Sequence, residues 1–142
     1  MTAQQAIERA NEMKAGNAVP DELKLEWLTE LDGMIYKDCV LTHLHDFRFS
    51  KWWSKDENNN WVFKSAPKYT QDNSDETLIA DAPDEAVYIY WLMSKIDLFS
   101  QEEHRYNVDF AQFEDAFRVF KARYHRTHTP VPNPSIKVGV FR

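Results

Sequence analysis

Between Tyr106 and Tyr124 six aromatic residues recur at alternating spacings of four and three: Tyr106, Phe110, Phe113, Phe117, Phe120 and Tyr124. Those spacings place every ring on one stripe of an α-helix. The residues between them include Asp109, Gln112, Glu114, Asp115, Arg118, Lys121 and Arg123. The opposite face is therefore polar, and the stripe has to be covered by other elements. An aromatic side chain buries roughly 150–250 Å², so this helix is expected to anchor the core. Rings that stack on bases or sugars have no need of strict helical spacing, whereas a packed seam does, which favours packing over ligand binding here.

A chain of 142 residues fits one domain, expected to bury roughly 70% of its unfolded surface. With only three glycines and no succession of short alternating strands, the predicted class is all-α. Cys39 is the single cysteine, so no internal disulfide forms and an intracellular site of assembly is expected. No apolar run approaches transmembrane length, and the N-terminus lacks the apolar core of a signal peptide. The expectation is a soluble, cytoplasmically made chain with no membrane partner.

The formal charge of −6 is unevenly spread. It is −5 over residues 1–46 (four basic, nine acidic) and +2 over 47–66 (four basic, two acidic). It is −7 over 67–103 (two basic, nine acidic) and +4 over 104–142 (seven basic, three acidic). An acidic chain is a poor general binder of nucleic acid, since phosphate affinity rests on Lys and Arg. Segregated charge suits contacts between copies, acidic side to basic side. It also suits solvated helix faces with no partner.

In chain order, Thr2 and Gln5 have capping-box spacing for a first helix with Ala6, Ile7, Ala10 and Met13 on its apolar face, stopping near Gly16 and Asn17. Pro20, Asp21 and Glu22 open a second helix. Its face is read as Leu23, Trp27, Leu31, Met34 or Ile35, then Val40 or Leu41, and Leu44. Gly33 inside it costs up to ~1 kcal/mol against alanine, which a closely approaching neighbour helix would offset. From Phe47 the helical period is lost. Aromatic residues flank Lys55 to Asn60, whose asparagines favour a turn, so a hairpin is predicted over Arg48–Ser54 and Trp61–Ser65. Ala66 to Pro83 reads as loop, with Thr77 to Ala80 the one stretch suited to extended structure. A third helix begins near Asp84, facing inward with Tyr88, Trp91, Leu92, Ile96 and Phe99. The turn into the aromatic helix falls within Ser100 to Asn107, with Ser100 and Asn107 as candidate caps. Pro130, Pro132 and Pro134 end that helix near His128. Residues 129–142 read as an extended C-terminal arm. The domain plan is a helical core of 1–46 and 84–128, an insertion of 47–83, and the arm.

Apparent chemical sites are weak. His43, His45 and Asp46 resemble metal ligands, but on a helix residues two apart do not share a face, and helix-end polarity is the simpler role. His125 and His128 do share a face, and in the last turn they complement the negative helix end. Asp56, Asn58 and Asn60 imitate a calcium loop, but Trp61 stands where glycine is needed and Pro67 where glutamate is needed. Nothing in the sequence places a nucleophile or oxyanion donor near the adjacent carboxylates Glu102 and Glu103. No phosphate-cradling glycine loop, serine elbow or paired-cysteine motif occurs. The expectation is a non-enzymatic chain with no cofactor and no metal.

Two blocks carry a resemblance. The first is Ala6 to Asn11 followed by Asp21 to Ile35, with its Trp27 and Glu30-Leu31-Asp32-Gly33. The second holds Tyr88, Tyr90, Ile96-Asp97, Glu103, Arg105-Tyr106-Asn107, Phe113, Ala116-Phe117 and Arg126-Thr127-His128. Together they resemble the head-to-tail connector (adaptor or neck) proteins of tailed bacteriophages, over about half the chain. Residues 47–70 and the tail after Pro130 follow no motif of that family. The resemblance implies a helical bundle, and with the hairpin and arm read from the residues themselves the expected fold is an all-α bundle of about four helices with a small β-hairpin insertion and an extended C-terminal arm. It implies a homo-oligomeric ring of roughly twelve copies, bound to the portal protein and to downstream tail or neck proteins. DNA would pass through the channel without sequence-specific contact. The location would be the neck of the virion, after assembly in the host cytoplasm. Candidate interface residues are Trp52, Trp53 and Trp61 in the insertion, and Lys137, Phe141 and Arg142 in the arm. The rival reading makes Trp52, Trp53 and Trp61 an aromatic platform for a sugar or peptide. A metal-dependent hydrolase built on the histidines and carboxylates ranks below both.

Overall fold

The computed structural model describes residues 1–45 and 51–131. Among them are four α-helices, α1 (Ala3–Met13), α2 (Asp21–Ile35), α3 (Ala86–Phe99) and α4 (Glu103–Thr127), and a two-stranded antiparallel sheet of β1 (Trp53–Lys55) and β2 (Trp61–Phe63). The chain is thus mostly helical with a small hairpin. The expected arm from Pro132 to Arg142 lies outside the described residues, and so does the predicted start of the first strand at Arg48.

Local signals set the ends of α1. Thr2 Oγ1 accepts from the Gln5 amide at 3.1 Å, and Gln5 Oε1 accepts from the Thr2 amide at 2.9 Å, completing the capping box. Beyond the last turn, Gly16 takes φ +77°, a conformation that glycine adopts without a Cβ penalty. At the start of α2, Pro20 is the N-cap, and Asp21 and Glu22 lie in the first turn against the positive helix end.

The inward face of α2 includes the expected Trp27, Leu31 and Ile35 and adds Leu25 and Leu28, while Met34, Leu41 and Leu44 are exposed. A π-helical turn over Tyr36–Val40 continues α2. The wider turn changes the rotational phase and brings Tyr36, Cys39 and Val40 inward. No neighbouring helix closes on Gly33. A Cβ built there meets nothing within 4 Å, because the residue borders the open side next to Met34.

The central element is α3, not the aromatic helix. Val87, Tyr88, Ile89, Trp91, Leu92, Met93, Ser94, Ile96 and Asp97 are all buried, and α3 packs against α1, α2 and α4. A helix apolar on nearly every side needs neighbours on nearly every side. Phe99, expected inside, is 51% exposed at the helix end.

The stripe of α4 lies along α3 as an unbroken run of rings, with successive centroids 5.3 to 6.3 Å apart. Phe113 sits 4.9 Å from Trp91. Only Phe113 and Phe120 of the six are buried, however, and the rest are half-buried. One neighbour helix cannot cover a whole stripe, so the seam contributes to the core without organising it. Neither candidate cap serves α4, since Glu102 is the N-cap and makes no side-chain cap bond.

The loop between β2 and α3 is fastened by one buried carboxylate. Asp32 accepts from the hydroxyls of Tyr69 and Tyr88, the latter at 2.6 Å, and from the Ile79 amide at 3.1 Å. Tyr88 Oη in turn accepts from the Ala80 amide at 2.7 Å. Burial raises the Asp32 pKa, and the three hydrogen bonds oppose that rise. Of the stretch Thr77 to Ala80, only Thr77 makes a strand-like bridge, to Thr2. The N-terminus is pinned there, with its amino group paired to Glu85.

Candidate functional site

The hairpin is built around Asp56. Its carboxylate accepts from the amides of Asn58 at 2.9 Å and Asn60 at 2.8 Å, and Asn59 takes φ 65°. This is an Asx-type turn made by asparagines that tolerate left-handed backbone, so the resemblance to a calcium loop is turn chemistry. Pairing of Trp53 with Phe63 and of Lys55 with Trp61 puts these four residues on one face. Trp53 stacks on Phe63 at 4.0 Å, and the Lys55 ammonium lies 5.2 Å from the Trp61 ring centre. Trp61 is 42% exposed, and Val62 on the other face is exposed as well.

Trp52 belongs to the opposite side. It meets Tyr36 edge-on at 5.8 Å and carries Lys51 over its ring at 4.8 Å. Tyr36 Oη donates to the Lys64 carbonyl, and the Lys64 amide donates to the Trp52 carbonyl at 2.7 Å. These contacts fix the hairpin to the π-helical turn. Trp52 packs toward the core, and Trp53 and Trp61 share a face with Phe63, which packs against it too, so of these three tryptophans Trp61 alone is exposed. Lys137, Phe141 and Arg142 lie outside the described residues.

The structure joins two histidine pairs that the sequence reading treated separately. His43 and His45 lie beyond the helical segment, not on it, and they reach His125 and His128 at the end of α4. His43 Nε2 is 2.8 Å from His125 Nδ1, and His43 Nδ1 is 2.7 Å from the Cys39 carbonyl oxygen. His45 Nε2 bonds to the Tyr124 hydroxyl, and the His128 ring stacks on Tyr124 at 3.9 Å. Burial lowers the pKa of His43 and His45, and the neighbouring histidines lower both further. Both pairs ended their segments in sequence, but no local pattern connects chain ends 82 residues apart.

At the other end of α4, Lys14 Nζ lies 3.0 Å from Asp97 and 2.9 Å from Asp109, joining α1, α3 and α4. Burial, with the adjacent Asp109 carboxylate, pushes Asp97 up to about 6, and Lys14 pulls against that shift. Burial disfavours the Lys14 charge, yet the two carboxylates raise its pKa overall.

Among the described residues, no group of three or more His, Cys, Asp or Glu side chains is placed to hold a metal ion. Glu102 pairs with Arg105 at the surface. Burial pushes the Cys39 thiol up to about 11, which removes nucleophilic thiolate at neutral pH. A cleft of about 240 Å³ is bordered by Lys51, Trp52, Asp84, Arg123, Tyr124 and His128, and its Arg123 is engaged by Asp84 at 2.9 Å. No described helix is long and apolar enough to cross a membrane. No family model, curated protein or solved structure matches the chain.

Proposed function

We propose that this chain is a structural adaptor that assembles into a ring at the head-to-tail junction of a tailed phage. It would bind the portal on one side and tail or neck proteins on the other, with DNA passing through the channel. The observation that carries this reading is where the exposed apolar residues fall. Trp61, Val62, Leu41 and Leu44 belong to the hairpin and to the segment bonded to the C-terminal end of α4. Met13, Leu98, Phe99 and Val108 adjoin the Lys14, Asp97 and Asp109 junction at the opposite end. The 25 residues of α4 span roughly 37 Å between its two ends. Two different apolar surfaces on one small subunit suit heterologous contacts, in which one patch meets another on a neighbouring molecule.

Charge supports the same reading. Acidic residues concentrate in 67–103 and basic ones in 104–142, which favours ordered contact between copies. An acidic channel lining would repel phosphate and let DNA slide. With Trp61 alone exposed among the insertion's tryptophans, a sugar or peptide platform is the weaker alternative. Native mass spectrometry of the chain, alone and mixed with portal protein, tests the proposal. Closed rings or portal-bound rings are expected. A chain that remains monomeric at all concentrations and does not associate with portal overturns it.

A further inference from the structure

His43, His45, His125 and His128 gather where the chain leaves α4, and the same place holds the root of the C-terminal segment. The Leu44 amide donates to the Thr129 carbonyl at 2.7 Å, the Val131 amide donates to the Thr42 carbonyl at 2.8 Å, and His43 faces Pro130 in an antiparallel bridge. Residues 42–44 therefore carry the buried histidine and also grip residues 129–131.

Protonation states follow from the partners. The Cys39 carbonyl can only accept, so His43 Nδ1 carries the hydrogen and Nε2 of the neutral ring accepts from His125 Nδ1. A proton added at His43 Nε2 keeps the bond across 2.8 Å only if His125 moves its own hydrogen to Nε2, and the bond is lost when both rings are charged. His43 is 1% exposed, so that charge would also lack solvation. The His45 ring is 5.2 Å from His128, and although the His43 backbone favours the charged form of His45, burial outweighs it. Charges on two of these rings would repel at short range.

The surroundings offer little compensation. From the π-helical turn come Asp38 and the neutral Cys39 thiol, and from α4 come Lys121, Arg123 and Tyr124. Across the cleft lie Lys51, Asp81 and Asp84, with Asp84 already holding Arg123. None of these carboxylates is hydrogen-bonded to a cluster histidine among the described residues.

We propose that His43 and His45, packed against His125 and His128, form a proton-sensitive latch, closed on residues 129–131 while the His43 and His45 rings are neutral and opened by acidification to about pH 5.5. His43 and His45 titrate below the ordinary 6.5 when latched. Their contribution to closure is therefore fully present above 6.5 and is lost as pH falls through 6.5 toward the latched values. Between about pH 7.5 and about pH 5.5, opening gains about tenfold for each histidine that stays neutral only when latched.

Amide hydrogen exchange on the full chain tests the latch, with rates corrected for the intrinsic effect of pH. Protection of the Leu44 and Val131 amides should fall about tenfold or more over that interval, while the Leu92 amide in α3 keeps its protection. His45→Gln, which retains a polar partner for Tyr124 but does not ionise, should show a smaller fall. Equal protection at both pH values overturns the latch. A fall shared by Leu92, or one as large in His45→Gln as in the parent chain, does the same.

Discussion

Single side chains divide here into those that hold the fold and those that only cover it. Asp32 holds it, because its carboxylate satisfies two buried hydroxyls and a backbone amide. Asp32→Ala leaves those donors without an acceptor and should cost about 3–5 kcal/mol, the scale for breaking a buried polar network. Urea unfolding measures it, and a loss below about 1 kcal/mol would show that the loop is secured elsewhere. The aromatic stripe separates in the same way. Phe113 is buried against Trp91, so Phe113→Ala should cost about 3–5 kcal/mol. Phe117 is half-buried, with Lys121 lying 4.7 Å from its ring centre. Truncating it should cost only about 1–2 kcal/mol, in proportion to the apolar area it removes from water. Equal losses at the two positions would mean that the stripe is covered more evenly than its burial indicates.

At the scale of elements, the two ends of the α3 and α4 pair respond to acid in opposite directions. Asp97 titrates near 6 in the fold, above its ordinary 3.8. A raised carboxyl value means that the folded chain holds the proton more tightly. The associated stability is present below 3.8 and is lost as pH rises through about 6. Asp97→Asn has no such titration, so its stability relative to the parent should improve as pH rises from about 4 to about 7. Urea midpoints at the two pH values would report the change, and a constant difference would show that Asp97 titrates normally. Helix ends were legible in the sequence wherever a local bond makes them, as with Thr2 and Gln5 at α1 or the prolines after α4. The buried faces of α2 and α3 were less legible. The π-helical turn rephases one helix, and the other is enclosed on sides that periodicity alone leaves open.

The whole molecule presents apolar surface at both ends of α4, which is where the adaptor reading places contacts between subunits and with the portal. Trp61→Ala should leave the helical circular dichroism unchanged and reduce ring or portal-bound species in native mass spectra, since an exposed aromatic residue contributes to an interface more than to the fold. Undiminished assembly would remove the hairpin from the interface. The position of the arm's root also selects an informative truncation. Ending the chain after His128 would delete Thr129 and Val131, whose bonds to Leu44 and Thr42 belong to the folded body. Ending it after Val131 removes the apolar arm alone. That protein should keep its melting temperature and fail to enter portal-containing particles, and normal incorporation would exclude the arm as a docking segment.

The sequence by itself determined the helical class, the hairpin with its asparagine turn, the cap of α1 and the break after α4. Each of these is decided within a few residues, by a hydrogen bond, a proline or a repeat of apolar positions. Only the tertiary structure decided that α3 is the central helix, that Asp32 ties the loop to the core, and that Trp61 alone of the insertion's tryptophans is exposed. It also brought His43 to His125. Such relations depend on which surfaces meet across the fold, and burial and polar satisfaction act between residues that no local spacing connects.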